Sequence, residues 1–312
     1  MQWKLAAAGL ALASLWLPVA AAEDASCRTV RFADVGWSDV AATTGLASVL
    51  LEALGYKPEV TMASIPITFS GLKNRQFDVF LGYWNPHMVT VAEPFIKAGQ
   101  VKVLEPPNLV GARYALAVPQ YLYDKGLKDF ADIARFEKEL QGKIYGIEPG
   151  SDGNAVIQGM IKDNKFGLKN FQLVESSELG MLTQAHRAVI GKKAIVFLGW
   201  EPHPMNVQLK MRYLAGGDEL FGPNLGEARV YTAVAAGFDA RCPNVAALLK
   251  NLQFTTDMES QVMGPIMERG KPNVAARNFL KKNPAPLGPW LAGVTTFDGR
   301  DGLPEVSAAL KR

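Results

Sequence analysis

Three tryptophans stand in positions that a folded chain seldom spends on its core. Trp37 follows Gly36 just past an apolar segment, Trp84 follows Phe80-Leu81-Gly82-Tyr83, and Trp200 follows Val196-Phe197-Leu198-Gly199. Each apolar run reads as a buried strand, so each indole falls just beyond a strand's carboxyl end, the edge of an open α/β sheet at which ligands bind. Indole faces gathered in a cleft attract a cation through the ring quadrupole. A quaternary ammonium, which offers methyl groups and no hydrogen-bond donor, is the cation class such a site serves. One desolvated ring adds about 2 kcal/mol. Three or four rings suffice for micromolar binding, about −8 kcal/mol, after ordering costs. Trp290, in a Pro-rich C-terminal stretch, reads as structural.

Two polar side chains have the neighbourhood to orient a ligand held this way. Asp39 lies two residues after Trp37, at the expected start of a helix, and Asn154 closes Gly150-Ser151-Asp152-Gly153-Asn154 where another helix opens. Both residue types also cap helices, and spacing alone does not separate ligand contact from capping. The fingerprints of catalysis are missing: there is no G-x-S-x-G, H-E-x-x-H, G-x-x-x-x-G-K-[ST] or G-x-G-x-x-G. His87, His186 and His203 are too few and too dispersed to suggest a metal set. No cofactor is implied, and binding without chemistry is the expected role.

The elements that must position these residues alternate. Strands are predicted over 29–33, 58–62, 77–81, 101–104, 143–147, 171–174 and 194–198, with helices over 41–54, 89–98, 155–163 and 179–190 between them. Strands and helices alternating at this pitch predict parallel α/β sheets covered on both faces. Helices alone are expected from about residue 243 onward. The extended stretches 113–119 and 229–237 are the natural crossings of a two-lobed protein. Lobe 1 is expected to hold 23–113 and, after the return, 229–312 with its helices, and lobe 2 to hold 114–228.

Residues 1–22 read as an export signal: Lys4, an apolar stretch from Leu5 to Val19, and Ala20-Ala21-Ala22 before Glu23, with removal expected after about Ala22 and a periplasmic location for the remainder. Export places Cys27 and Cys242 in an oxidising compartment, where a bridge between them is the expected state. At 48% apolar and 20% charged residues the chain has the balance of a folded soluble protein. Its formal charge of +3 is spread without basic runs, so no nucleic-acid partner is indicated.

Several motifs together carry a family likeness. Gly36-Trp37-Ser38-Asp39, Trp84 with Pro86, Gly146-Ile147-Glu148-Pro149-Gly150 running to Gly153-Asn154, and Phe197-Leu198-Gly199-Trp200-Glu201-Pro202-His203-Pro204-Met205-Asn206 resemble the choline-binding members of the glycine betaine/choline substrate-binding proteins of ABC transporters. The resemblance covers essentially the whole chain after residue 22. It implies a type II periplasmic binding-protein fold: two α/β lobes, a two-stranded hinge, a ligand in the interlobe cleft, and a membrane permease as partner. It also implies a box of four aromatic side chains, Trp37, Trp84, Tyr114 and Trp200, with Asp39 and Asn154 holding the ligand's hydroxyl end. Tyr114 enters by resemblance alone. A carboxylate at Asp39 favours a cationic alcohol such as choline and opposes the carboxylate of glycine betaine. Carnitine remains an alternative, because its carboxylate could reach the helix start near Asn154. Asn85 and His87 depart from the apolar or small residues expected beside Trp84; the same two residues could equally flank Pro86 at the surface. A remote alternative is an exported hydrolase of choline esters, with Ser38 as its candidate nucleophile.

Overall fold

Thr29–Asp34 (β1) places Val30 and Phe32 in the interior and runs parallel to Lys57–Met62 (β2) on one side and to Val79–Asn85 (β3) on the other. The computed structural model describes residues 23–312; the predicted export signal, 1–22, lies outside the described residues. Between β1 and β2 the helix Ser38–Ala53 is buried at every position from Ser38 to Leu51 except Ala41. A helix apolar on all sides must be wrapped on all sides. Here the helices Thr256–Met267 and Pro272–Lys282 complete the wrapping. The second approaches so closely that a Cβ on Gly45 would lie 3.0 Å from the Pro272 backbone.

The second unit repeats the scheme with Lys143–Tyr145 (β5), Gln172–Val174 (β6) and Phe197–Glu201 (β7), again parallel. Two strands join the units. Val101–Pro119 (β4) pairs antiparallel with Glu227–Ala235 (β9) from Val101↔Ala235 to Arg113↔Glu227. It then pairs with β7 from Arg113↔Glu201 to Ala117↔Phe197, while Met211–Tyr213 (β8) lies along its end. The strand order is β2-β1-β3-β9-β4-β7-β5-β6, with β8 beside β4. The parallel prediction therefore holds within each unit and fails at the crossings, where β4 and β9 run against their neighbours. The expected division points, 113/114 and 228/229, fall within β4 and β9.

Two further differences matter for the site. The separate segments predicted over 101–104 and 113–119 form one strand. The strands predicted to end at Leu81 and Leu198 continue to Asn85 and Glu201, because antiparallel pairing with β9 (Trp84↔Val230, Asn85↔Arg229) and with β4 (Tyr114↔Trp200, Arg113↔Glu201) extends their ladders. Trp84 and Trp200 are thus the penultimate residues of strands and not the residues beyond them. Trp37 does stand past its strand.

The chain after β9 is helical over Pro243–Asn251, Thr256–Met267, Pro272–Lys282 and Gly302–Lys311. The buried disulfide Cys27–Cys242 ties this region to the start of β1. Trp290 donates to the Gln253 carbonyl at 3.2 Å and meets Phe254 edge-on, as a core residue does. Among the described residues no helix is long and apolar enough to cross a membrane.

Candidate ligand-binding site

The first wall is built at the end of β1. Asp34 Oδ1 accepts the Gly36 N–H at 2.7 Å, and Gly36 turns the chain at φ +84°, a conformation glycine reaches without strain. Trp37 then stands at the N-cap of Ser38–Ala53, with its indole free to reach outward. Its Nε1–H donates to Glu148 Oε1 of the second unit at 2.9 Å. The helix start receives its anion from equally far away. Glu178, opening the helix Glu178–Ile190, accepts the Ser38 N–H at 2.9 Å and the Ser38 hydroxyl at 2.6 Å. A carboxylate is favoured there by the unsatisfied N–H groups and the helix dipole. His203 accepts the Met205 N–H on Nδ1, which leaves its Nε2–H to donate to Glu178 Oε1 at 3.2 Å.

Asp39, the second residue of that helix, is not a cap. One carboxylate oxygen accepts the Trp84 indole N–H at 3.2 Å, while Oδ1 is buried with no partner. Burial, reinforced by the charge of Glu178, pushes its carboxyl up to about 7.

Tyr114 of β4 and Trp200 of β7 face each other across the ladder, with ring centroids 6.3 Å apart and steeply inclined; Trp84 lies 6.2 Å from the same tyrosine. Trp37, Trp84, Tyr114 and Trp200, each no more than 7% exposed, line one cavity together with Asp39, Ile147 and Asp152. Behind the rings, His87 meets Tyr114 edge-on at 4.9 Å, Phe221 meets Tyr114 at 6.1 Å, and His203 meets Trp200 at 5.0 Å. Burial pulls His87 down to about 4, so it backs the box as a neutral ring. Asn85 ends β3 opposite Arg229, outside the cavity lining.

Asn154 does not cap its helix, which corrects that half of the sequence reading; the cap is Ser151, whose hydroxyl accepts the Asn154 N–H at 3.4 Å. The Asn154 amide lies against the loop that carries the lining residue Ile147. Its oxygen takes the Ile147 N–H, and its nitrogen donates to the carbonyls of Ile147 and Glu148 and to Glu175 Oε1, all within 2.9–3.1 Å. It holds the loop that carries Ile147 and Glu148. The second polar lining residue, after Asp39, is Asp152, the first residue of the helix Asp152–Lys162, with Oδ1 buried and unpartnered and its carboxyl raised to about 6 by burial.

Sequence reasoning quoted Glu148 and His203 within motifs without giving them a role at the site, and passed over Glu178. The only local signal was Ser177-Glu178, an N-cap followed by an acidic first-turn residue. Among the described residues, none of the side chains lining the cavity is cationic. Aromatic faces and carboxyls without a positive side chain are chemically suited to a small cation.

Residues 28–282 match the family described as the substrate binding domain of ABC-type glycine betaine transport system, OpuAC. The chain belongs to this family. An ABC-transporter choline binding protein in complex with choline is 52% identical and superposes with a TM-score of 0.90, covering 92% of this chain and 100% of that one. The unliganded semi-closed form of an ABC-transporter choline binding protein, also 52% identical over the same share of each chain, superposes with a TM-score of 0.83. Of these two forms, the one with choline superposes more closely. Lactococcal OpuAC, closed on glycine betaine, is 25% identical with a TM-score of 0.76 over 84% of this chain and 99% of that one. The glycine betaine/carnitine transport binding protein GbuC of Listeria monocytogenes is 28% identical over 162 residues, 52% of this chain, and the match spans about half (53%) of that relative's length. The fold is that of type II periplasmic binding proteins: two α/β lobes joined by two strands, with the ligand cleft between them.

Proposed function

We propose that this chain is an exported receptor that captures choline between its lobes and delivers it, chemically unchanged, to the permease of an ABC transporter. The carrying observation is the cavity itself: four buried aromatic rings, Trp37 and Trp84 from one lobe and Tyr114 and Trp200 from the other, around a space also lined by Asp39 and Asp152, each with a buried oxygen that has no partner. The rings suit a trimethylammonium head, and Asp39 suits a hydroxyl that donates. The likeness to a choline complex supports the same ligand. Release of the export segment after about Ala22, a periplasmic location and lobes dividing at 113/114 and 228/229 belong to this reading.

Glycine betaine is the second reading, favoured by the family description and by the lactococcal relative. Its carboxylate, or that of carnitine, would face two carboxyls and no cation in this cavity. Hydrolysis has less support still: Ser38 Oγ is committed to Glu178 and does not line the cavity. Isothermal titration with choline, glycine betaine and carnitine tests the order. Choline is expected to bind in the micromolar range or tighter, and a betaine affinity equal to or above that of choline would reverse the assignment.

A further inference from the structure

Two carboxyls, one from each lobe, border the cation box, and choline supplies a hydrogen bond to only one of them. Asp39 leans on the box through Trp84, whose N–H it accepts on one oxygen, leaving Oδ1 without a partner. Asp152 borders the box at Tyr114. Its charge is the second cause, after burial, that holds the Tyr114 hydroxyl protonated, and the neighbouring Gly153 is so close that a Cβ there would lie 2.0 Å from the Tyr114 oxygen. Asp152 is 8% exposed, its Oδ1 is buried without a partner, and it lines the cavity. Buried acceptors of this kind are costly unless a donor arrives. Choline brings one O–H, and its nitrogen carries no hydrogen.

We infer that the site also takes protonated tertiary amino-alcohols, whose N⁺–H and O–H are divided between the Asp39 and Asp152 carboxylates. This rests on the choline reading and extends it from quaternary ammonium alcohols to the tertiary class. Loss of one methyl group removes some contact with the rings. It gains a charge-assisted hydrogen bond, which is about twice as strong as a neutral one. Asp152 is then a specificity-determining residue, felt more strongly by the N–H-bearing ligand than by choline.

The test compares choline with N,N-dimethylethanolamine by isothermal titration at pH 8, where the carboxyls are ionised and the tertiary amine retains its proton, using the full chain and its Asp152→Asn variant. The wild-type chain is expected to bind dimethylethanolamine within about tenfold of choline. Asp152→Asn is expected to weaken dimethylethanolamine at least about tenfold more than it weakens choline. Choline binding with dimethylethanolamine more than tenfold weaker in the wild-type chain overturns the inference and leaves the choline reading standing. Equal weakening of both ligands by Asp152→Asn also overturns it, since Asp152 then acts only as background charge. If the wild-type chain binds neither compound, the choline reading fails and this inference falls with it. Thermal denaturation of the unliganded variant reports its folding, and the wild-type ratio decides the question without any variant.

Discussion

Affinity for the cation is expected to climb between pH 5.5 and pH 8 and then level off. Asp39 is held at about 7 because burial, and then the charge of Glu178, disfavours its ionised form. Burial likewise lifts Asp152 to about 6. A bound ammonium favours the ionised form of each, so at low pH binding must first displace protons. The penalty is a factor of 1 + 10^(pKa − pH). At pH 5.5 it is about thirtyfold for Asp39 and about fourfold for Asp152, and at pH 8 it is close to unity for both. His87, already neutral, contributes no change over this range. Isothermal titration at pH 7 in two buffers of different ionisation heat is expected to register release of about half a proton from Asp39. The same shift acts on stability. A carboxyl raised from 3.8 to about 7 costs the unliganded fold about 4 kcal/mol once it is ionised, a cost absent below pH 4 and complete above pH 7. A bound cation offsets it, so choline is expected to raise Tm more at pH 8 than at pH 5.5. Asp39→Asn should leave only the shallower dependence of Asp152. A dissociation constant that stays level from pH 5.5 to 8, or that worsens as pH rises, would refute the coupling of these carboxyls to the ligand's charge.

Three other outcomes are expected. Trp84→Ala removes one ring and the N–H donor of Asp39, and is expected to weaken choline about thirtyfold, or about 2 kcal/mol; an unchanged titration would sink the aromatic-box assignment. Glu178→Gln keeps the shape of the interlobe contact to Ser38 but removes its charge. Choline affinity is expected to fall about three- to tenfold, with a larger radius of gyration by small-angle scattering in the unliganded state. An affinity and a radius both equal to wild type would count against Glu178 as a contact that holds the lobes together. Cys27→Ser with Cys242→Ser opens a loop of 215 residues and is expected to cost about 2–5 kcal/mol of stability while leaving choline affinity within about twofold; denaturant melts and titrations on the double variant check both halves.

Local patterning carried much of the fold. Val30 and Phe32 alternate inward along β1, and the apolar spacing from Ala41 to Leu54 marks the helix that fills the first lobe. What lay out of reach was pairing. Nothing near Leu81 or Leu198 says that β9 and β4 will extend those strands by several residues; the partners lie more than 80 residues away along the chain in each case. The site divided in the same manner. The tryptophans announce themselves because an indole after a strand-forming run is unusual chemistry, whereas Tyr114 sits inside a long strand and is visible only through resemblance. Asp152 and Asn154 occupy one helix turn, and composition cannot say which lines the cavity. In the structure Asp152 lines it, and the Asn154 amide meets the Ile147–Glu148 backbone and Glu175. Glu178 was hidden for a plainer reason, since its partner Ser38 is 140 residues away.

The place of β9 between β3 and β4 has a bearing on how the molecule comes into being. Strands β5 to β8, with their helices, come from one uninterrupted segment of chain and have their sheet neighbours as soon as that segment has emerged. In the first unit β3 does not. Until residues 227–235 arrive, β3 presents an open ladder edge, and the helices that wrap Ser38–Ala53 have yet to be made. Exposed edges and uncovered apolar helices invite misassociation. The unit that holds β1 to β3 is therefore completed last, and a factor that shields emerging chains would find its target in residues 29–85.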